Sequence, residues 1–225
     1  MVEPEVMPNI KKIKNMKLIK NIALLAIVLV GISSCSLEDP IESQITEYAE
    51  FEVTDGPYVY WEQGEAFVEP GVVALAGGES LEVMVDGAVD VNTPGVYVLN
   101  YSAVNADGFP ATTTRYVAVG KTDVAFNRDL SGLYLTGTRE NTVTQIIPGF
   151  YLNSDTLPNN SVSVFMVDLG NGQLIIPAQQ SRFGTVVADS TIIPGSGVTL
   201  DSETGFTIKQ DISCCGLFTR IFIKQ

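Results

Sequence analysis

The chain contains no histidine. That removes the Ser-His-Asp triad, the Cys-His pair and histidine-built metal centres together. Two carboxylates at a suitable separation would still serve a glycosidase. The acidic residues, however, lie mostly in a polar front half, and no flanking pattern singles out a pair. The reading is of a protein that is not an enzyme and needs no cofactor. Asp86, Asp90, Asn105 and Asp107 offer oxygens to Ca²⁺, yet no complete ligand loop surrounds them, and turn formation is the better account.

Three clusters remain. In Tyr58-Val59-Tyr60-Trp61, strand alternation places Tyr58 and Tyr60 on one face and Trp61 on the other. Exposed rings there would stack on sugars, although a lone Trp more often fills a core, so this platform is the minority reading. Gln179-Gln180-Ser181-Arg182 follows Pro177 and precedes Phe183-Gly184, and reads as a loop of amide, hydroxyl and guanidinium donors. Gln179, Gln180 and Arg182 suit sugar hydroxyls or a carboxylate; a solvated loop explains them equally well. Cys214 and Cys215 are one peptide apart, closer than the usual Cα spacing of a disulfide. Two buried thiols are expected, with a vicinal disulfide or a bridge to another chain as alternatives.

The elements that must position these groups are strands. Apolar residues come in short runs broken by Gly, Pro, Asn and Asp. After a turn at Thr93-Pro94-Gly95, residues 96–104 alternate so that Tyr97, Leu99, Tyr101 and Ala103 share a face; Asn105-Ala106-Asp107-Gly108 turns the chain, and 112–119 returns. Residues 121–127 read as a linker. Beyond it an antiparallel meander is expected, with strands at 132–138, 142–152, 161–168, 173–177, 184–188, 205–210 and 217–224, and with Pro158-Asn159-Asn160 and Gly170-Asn171-Gly172 as turns. The fold class is all-β: a sandwich over 45–120, then a second sandwich or partly open barrel over 128–225. Residues 121–225 are expected to fold as a cooperative unit of their own.

Charge is uneven along the chain. Residues 35–120 hold 15 acidic side chains against Arg115 alone, a net of −14, whereas 121–225 hold 9 acidic against 7 basic, a net of −2. Such a front half repels phosphate backbones, so no nucleic-acid partner is expected, and an anionic ligand would have to meet the back half.

The N-terminus has the three-part layout of a signal peptide over residues 1–34. Lys11, Lys12, Lys14, Lys17 and Lys20 precede an apolar run over 22–32, and Ser33-Ser34 precede Cys35. That run rises only about 16 Å as a helix, roughly half a hydrocarbon core. Gly31-Ile32-Ser33-Ser34-Cys35 resembles the lipobox of bacterial lipoproteins, which implies that Cys35 is lipidated and becomes the mature N-terminus, with 35–44 as a tether. Several acyl chains on one residue exceed what stable anchoring needs. Glu38 and Asp39 soon after the cysteine resemble the surface-export signal of Bacteroidetes lipoproteins, which implies the outer face of the outer membrane.

Three further stretches carry a second resemblance: 64–72 (Gly-Glu-Ala-Phe-Val-Glu-Pro-Gly-Val), 92–97 (Asn-Thr-Pro-Gly-Val-Tyr) and 101–108 (Tyr-Ser-Ala-Val-Asn-Ala-Asp-Gly). In this order they resemble the immunoglobulin-like domain of Bacteroidetes surface lipoproteins. The resemblance implies an immunoglobulin-like sandwich, a C-terminal β domain, and a setting beside outer-membrane glycan importers. The function it implies is non-catalytic capture or presentation of carbohydrate for such an importer. The alternative is a structural, adhesive or docking subunit, with an exposed aromatic cleft favouring capture and a broad apolar patch favouring docking.

Overall fold

The computed structural model describes residues 45–157, 162–202 and 205–225. Cys35, Glu38, Asp39, the leader over 1–34 and the expected turn at Pro158-Asn159-Asn160 lie outside the described residues. Thr46–Gln225 forms one compact unit, built almost entirely of strands.

The front half is an immunoglobulin-like sandwich. One sheet is antiparallel and holds β1 (Glu50–Val53), β3 (Val72–Ala76) and β4 (Glu79–Leu81). The other runs in the order β2 (Tyr58–Glu62), β7 (Pro110–Gly120), β6 (Gly95–Val104) and β5 (Met84–Asp86), with β2 parallel to β7. The long hairpin of β6 and β7 follows the sequence expectation. Leu99, Tyr101 and Ala103 are buried on alternate positions, and the turn closes with Gly108 at φ +85°. Asn105 secures that turn by accepting the Phe109 N–H on its side chain at 2.7 Å. Leu99, Tyr101 and Val117 form the core between the sheets with Phe51, Trp61 and Phe67 packed on them.

The back half, expected as a sandwich or partly open barrel, closes on itself through a ring of eight strands. Its strands are β8 (Gly132–Thr136), β9 (Arg139–Ile147), β10 (Phe150–Asn153), β11 (Val164–Asp168), β12 (Leu174–Ser181), β13 (Gly184–Ala188), β14 (Gly197–Ser202), β15 (Gly205–Ile212) and β16 (Gly216–Lys224). The pairing runs β8-β9-β10-β11-β12-β13-β15-β16, and β16 returns to β8. β14 fits between β15 and β12 where β13 leaves a gap. Two expectations are corrected here. The single strand expected over 142–152 is two, because Gly149 at φ +83° makes a hairpin turn after Pro148. β14 has no counterpart among the expected strands: its first residue, Gly197, belongs to the Pro194-Gly195-Ser196-Gly197 segment that reads as a break in the chain.

Alternation explains the barrel interior. Phe206, Ile208, Gln210 and Ile212 of β15 face inward and are fully buried, while Ile221 and Ile223 of β16 face outward and are exposed. β11 breaks the pattern, being buried at all five positions. A strand buried on both faces must be covered from outside, and the sandwich supplies that cover.

Candidate functional site

The aromatic cluster of β2 forms the joint between the two halves. Tyr58 and Tyr60 do share a face, and that face meets the barrel. The Tyr58 ring lies 5.6 Å from Phe165, 5.5 Å from Phe150 and 5.9 Å from Tyr116. Tyr60 meets Phe126 edge-on at 5.1 Å and donates its hydroxyl to the Asp168 carbonyl at 2.9 Å. Gly149 and Gly120 make room for this ring, because a Cβ on either would fall within 2.5 Å of Tyr60. Ala118, Phe150, Phe165, Val167, Leu169 and Ile175 complete one apolar cluster drawn from both halves. Burial raises the Tyr60 hydroxyl's pKa well above its ordinary value, helped by the nearby Asp168 and Glu62 carboxylates. Trp61 points the other way, edge-on to Phe67 at 5.1 Å in the sandwich core, and donates its indole N–H to the Glu65 carbonyl. The cluster therefore offers no open aromatic platform.

The expected linker is tied down as well. It contains α1 (Thr122–Ala125), and the Lys121 N–H donates to the Leu169 carbonyl at 2.9 Å. Glu62 at the end of β2 accepts the N–H and hydroxyl of Thr122 at 2.8 and 2.7 Å and meets Lys121 Nζ at 3.2 Å. The Thr122 hydrogen bonds, first among the causes, hold the Glu62 carboxyl below its ordinary value. A depressed folded-state pKa contributes stability that is present above the unfolded value and lost as pH falls through the folded one. Glu62→Gln is therefore expected to flatten the acid limb of the stability profile below the ordinary value of 4.5 and to leave the neutral limb parallel to wild type. Melting temperature recorded against pH checks this.

The donor cluster is redistributed. The expected loop at 179–183 is instead the end of β12 and a tight turn, with Arg182-Phe183 between β12 and β13. Pro177 sits at a bulge, where its missing N–H is tolerated. Gln179 bridges β11 and β12: its side-chain oxygen accepts the Phe165 N–H at 3.0 Å and its nitrogen donates to the Phe165 carbonyl at 2.9 Å. It continues the barrel ladder where the backbone pairing stops, so its amide is fully engaged. Gln180 is exposed and donates to Thr185 Oγ1. Arg182 is exposed with its guanidinium 4.8 Å from the centre of the Phe183 ring.

Cys214 and Cys215 are not buried thiols. They are exposed at the β15–β16 turn and joined to each other by a disulfide. Asp90 and Asn105 act as turn residues, Asp90 accepting the Asn92 N–H and the Thr93 hydroxyl.

Among the described residues, two cavities bear on this frame. One, of about 670 Å³, is lined by Arg128, Asp129, Tyr134 and Lys224. Its cations are engaged already: Arg128 pairs at 2.6 Å with the fully buried Asp168, and Lys224 lies 6.0 Å from the Tyr134 ring. The other is a cleft of about 580 Å³ beside the joint, between the start of β6 and the barrel. Thr93, Pro94 and Tyr97 form one wall, and Gln173, Thr191 and Thr199 contribute to the other. The Tyr97 hydroxyl donates to the Thr93 carbonyl at 2.7 Å and keeps its lone pairs as acceptors. Asp189 holds the loop after β13 by accepting the N–H and hydroxyl of Thr191. This wall of hydroxyls and apolar side chains was not legible in the sequence, because it is assembled from segments about a hundred residues apart.

Comparison with known proteins bears on the front half most directly. Residues 51–119 match the family described as bacterial surface protein, Ig-like domain. Among solved structures, the crystal structure of a lipoprotein from Bacteroides thetaiotaomicron is 27% identical; the match covers 79% of this chain and 100% of that one, with a TM-score of 0.36. No curated protein matches. Over its front third, then, this chain is similar to the immunoglobulin-like domains of bacterial surface proteins.

Proposed function

We propose that this chain is a non-catalytic lipoprotein of the bacterial cell surface, anchored in the outer membrane through Cys35. It captures carbohydrate in the cleft between its two halves and presents it to an outer-membrane importer. The cleft is the observation that carries the capture reading. It has the volume of a small-molecule site and mixes hydroxyl groups with apolar side chains, the mixture that suits a sugar's hydroxyls and C–H faces. The surface reading is supported by the lipobox and by the surface-protein family match over 51–119. The non-catalytic reading is supported by the carboxylates. Among the described residues those with displaced pKa values, Glu62, Asp90 and Asp129, are all lowered, whereas a general acid at neutral pH needs a raised one.

Cys35→Ala is expected to abolish incorporation of labelled palmitate and to release the protein from the membrane fraction, and protease added to intact cells is expected to remove the wild type. Palmitate on the mutant, or protection until the outer membrane is opened, would sink the anchoring or the surface reading respectively. For capture, a glycan array probed with the full chain in detergent is expected to give binding that Tyr97→Ala weakens about tenfold, the scale of about 1.4 kcal/mol.

The second reading, a docking subunit, is favoured by one feature. Leu133 on β8 and Leu217, Ile221 and Ile223 on β16 form an exposed apolar row on the outer barrel wall. A membrane-protein partner recovered by crosslinking at Ile221, with no glycan bound by the full chain, would select docking over capture.

A further inference from the structure

The barrel strands run up and down, so the turns alternate between two ends. The turn at Gly149 and the segment around Leu169 touch the sandwich, at Tyr60 and at Gly120 and Lys121. The β12–β13 and β15–β16 turns lie at the opposite end. The six steps along β12 from Ile175 in the joint to Ser181 beside the turn span roughly 20 Å. These two distant turns touch each other. The Thr185 N–H donates to Ser213 Oγ at 3.2 Å, and the Ser213 N–H donates to the Thr185 carbonyl at 3.0 Å. A Cβ on Gly184 would come within 3.0 Å of Ser213 Cβ. Arg182-Phe183 and Cys214-Cys215 thus flank a single seam.

We propose that this pair of turns is a second carbohydrate site, separate from the cleft, whose ligand is a pyranose carrying a carboxylate. The ligand class rests on the capture reading; the location does not. A disulfide between neighbouring residues closes a small covalent ring from two sulfurs, two methylenes and one peptide. Its exposed face is polarisable and apolar, and covalent closure fixes it in advance, so no rotamer entropy is lost when a sugar's C–H face stacks on it. Arg182 adds the charge. Arg115, Arg128 and Arg139 each pair with a carboxylate, whereas Arg182, among the described residues, pairs with none and is held instead over Phe183. A guanidinium lying against a ring keeps its N–H edge free for a bidentate carboxylate. Gln180, exposed next to it, donates one N–H to Thr185 Oγ1 and offers its other N–H and its side-chain carbonyl to the hydroxyls. Residues 121–225 carry a net of only −2 against −14 for residues 35–120, so an acidic sugar meets far less repulsion on this half of the chain.

The test uses the full chain in detergent on an array of oligogalacturonates and matched neutral oligosaccharides. Wild type is expected to bind the uronates more tightly than the neutral oligosaccharides, with at least a tenfold loss of that uronate binding in Arg182→Ala and in the double variant Cys214→Ser/Cys215→Ser. Treating wild type with a phosphine reductant is expected to give the same loss, and reoxidation to restore binding; that reversal separates the ring's role from any folding defect of the double variant. Uronate binding that survives both tip variants and reduction but falls in Tyr97→Ala overturns this site and leaves capture by the cleft standing. No binding to any glycan removes both.

Discussion

Arg115→Ala is expected to destabilise the folded unit by about 3–5 kcal/mol, the scale for removing one partner of a buried ion pair. Arg115 is the only cation of residues 35–120 and is fully buried between the sheets. Its NH2 donates to the carbonyls of Thr54 at 2.7 Å and Gly71 at 3.2 Å, which joins the ends of β1 and β3. Its NH1 lies 3.2 Å from Glu69 Oε1 without the alignment of a hydrogen bond, so that contact is coulombic. Glu69 Oε2 is buried without a hydrogen-bond partner, so the guanidinium is the main compensation for the carboxylate. Burial, and then Glu69, push the Tyr101 hydroxyl up to about 12. Alanine would leave the Thr54 carbonyl without its donor, the Gly71 carbonyl with only the Thr54 N–H and the Glu69 carboxylate with only the Gly71 N–H. For a unit of this size the melting temperature should fall by about 6–20 °C. Glu69→Leu added to Arg115→Met should recover part of that loss, because removing both charges is far less costly than removing one. A melting temperature for Arg115→Ala within about 2 °C of wild type would contradict this account.

Tyr60→Ala carries the second large effect, about 2–4 kcal/mol for a half-buried aromatic in a packed seam. The ring bridges the two halves through Phe126, Phe150 and the Asp168 carbonyl. Its loss should therefore uncouple them, and calorimetry should show two transitions where wild type is expected to show one. Tyr60→Phe keeps the ring and loses one hydrogen bond, so it should cost only about 1 kcal/mol and leave a single transition. A single transition in Tyr60→Ala would mean that the rest of the cluster suffices to join the halves. The same seam adds a condition to the expectation that residues 121–225 fold alone. Without the sandwich, the outward faces of Phe150, Phe165 and Ile175 would meet water, so such a fragment should melt lower than the intact chain or self-associate.

What was legible in the sequence was local. The β6–β7 hairpin announced itself through alternation at Tyr97, Leu99, Tyr101 and Ala103 and through a turn with a required glycine. The parity of Tyr58, Tyr60 and Trp61 was legible too, because it depends only on the pleat. Its destination was not, since the partners of Tyr58 and Tyr60 lie up to a hundred residues further on. Gln179 misled for a similar reason. A glutamine beside an arginine reads as a donor loop, but the amide completes a ladder with the Phe165 backbone. Burial of all five residues of β11 was an unread sign that something covers the barrel there.

The closure of the barrel has a kinetic consequence. β8 begins the barrel and β16 ends it, and the two meet only through Leu135 with Ile223 and Tyr134 with Lys224, extended by the Gln225 N–H on the Leu133 carbonyl. Every other neighbouring pair around the ring can form as soon as the next strand or two has appeared. This pair joins residues almost ninety positions apart, so the loop-closure entropy falls on a single late event. A chain crossing a membrane amino end first would hold β8 as an open edge until its last residues arrive. Through that interval the exposed strand is open to pairing with another chain. The risk of mispairing therefore lies with that one edge and that one interval, not with the finished core.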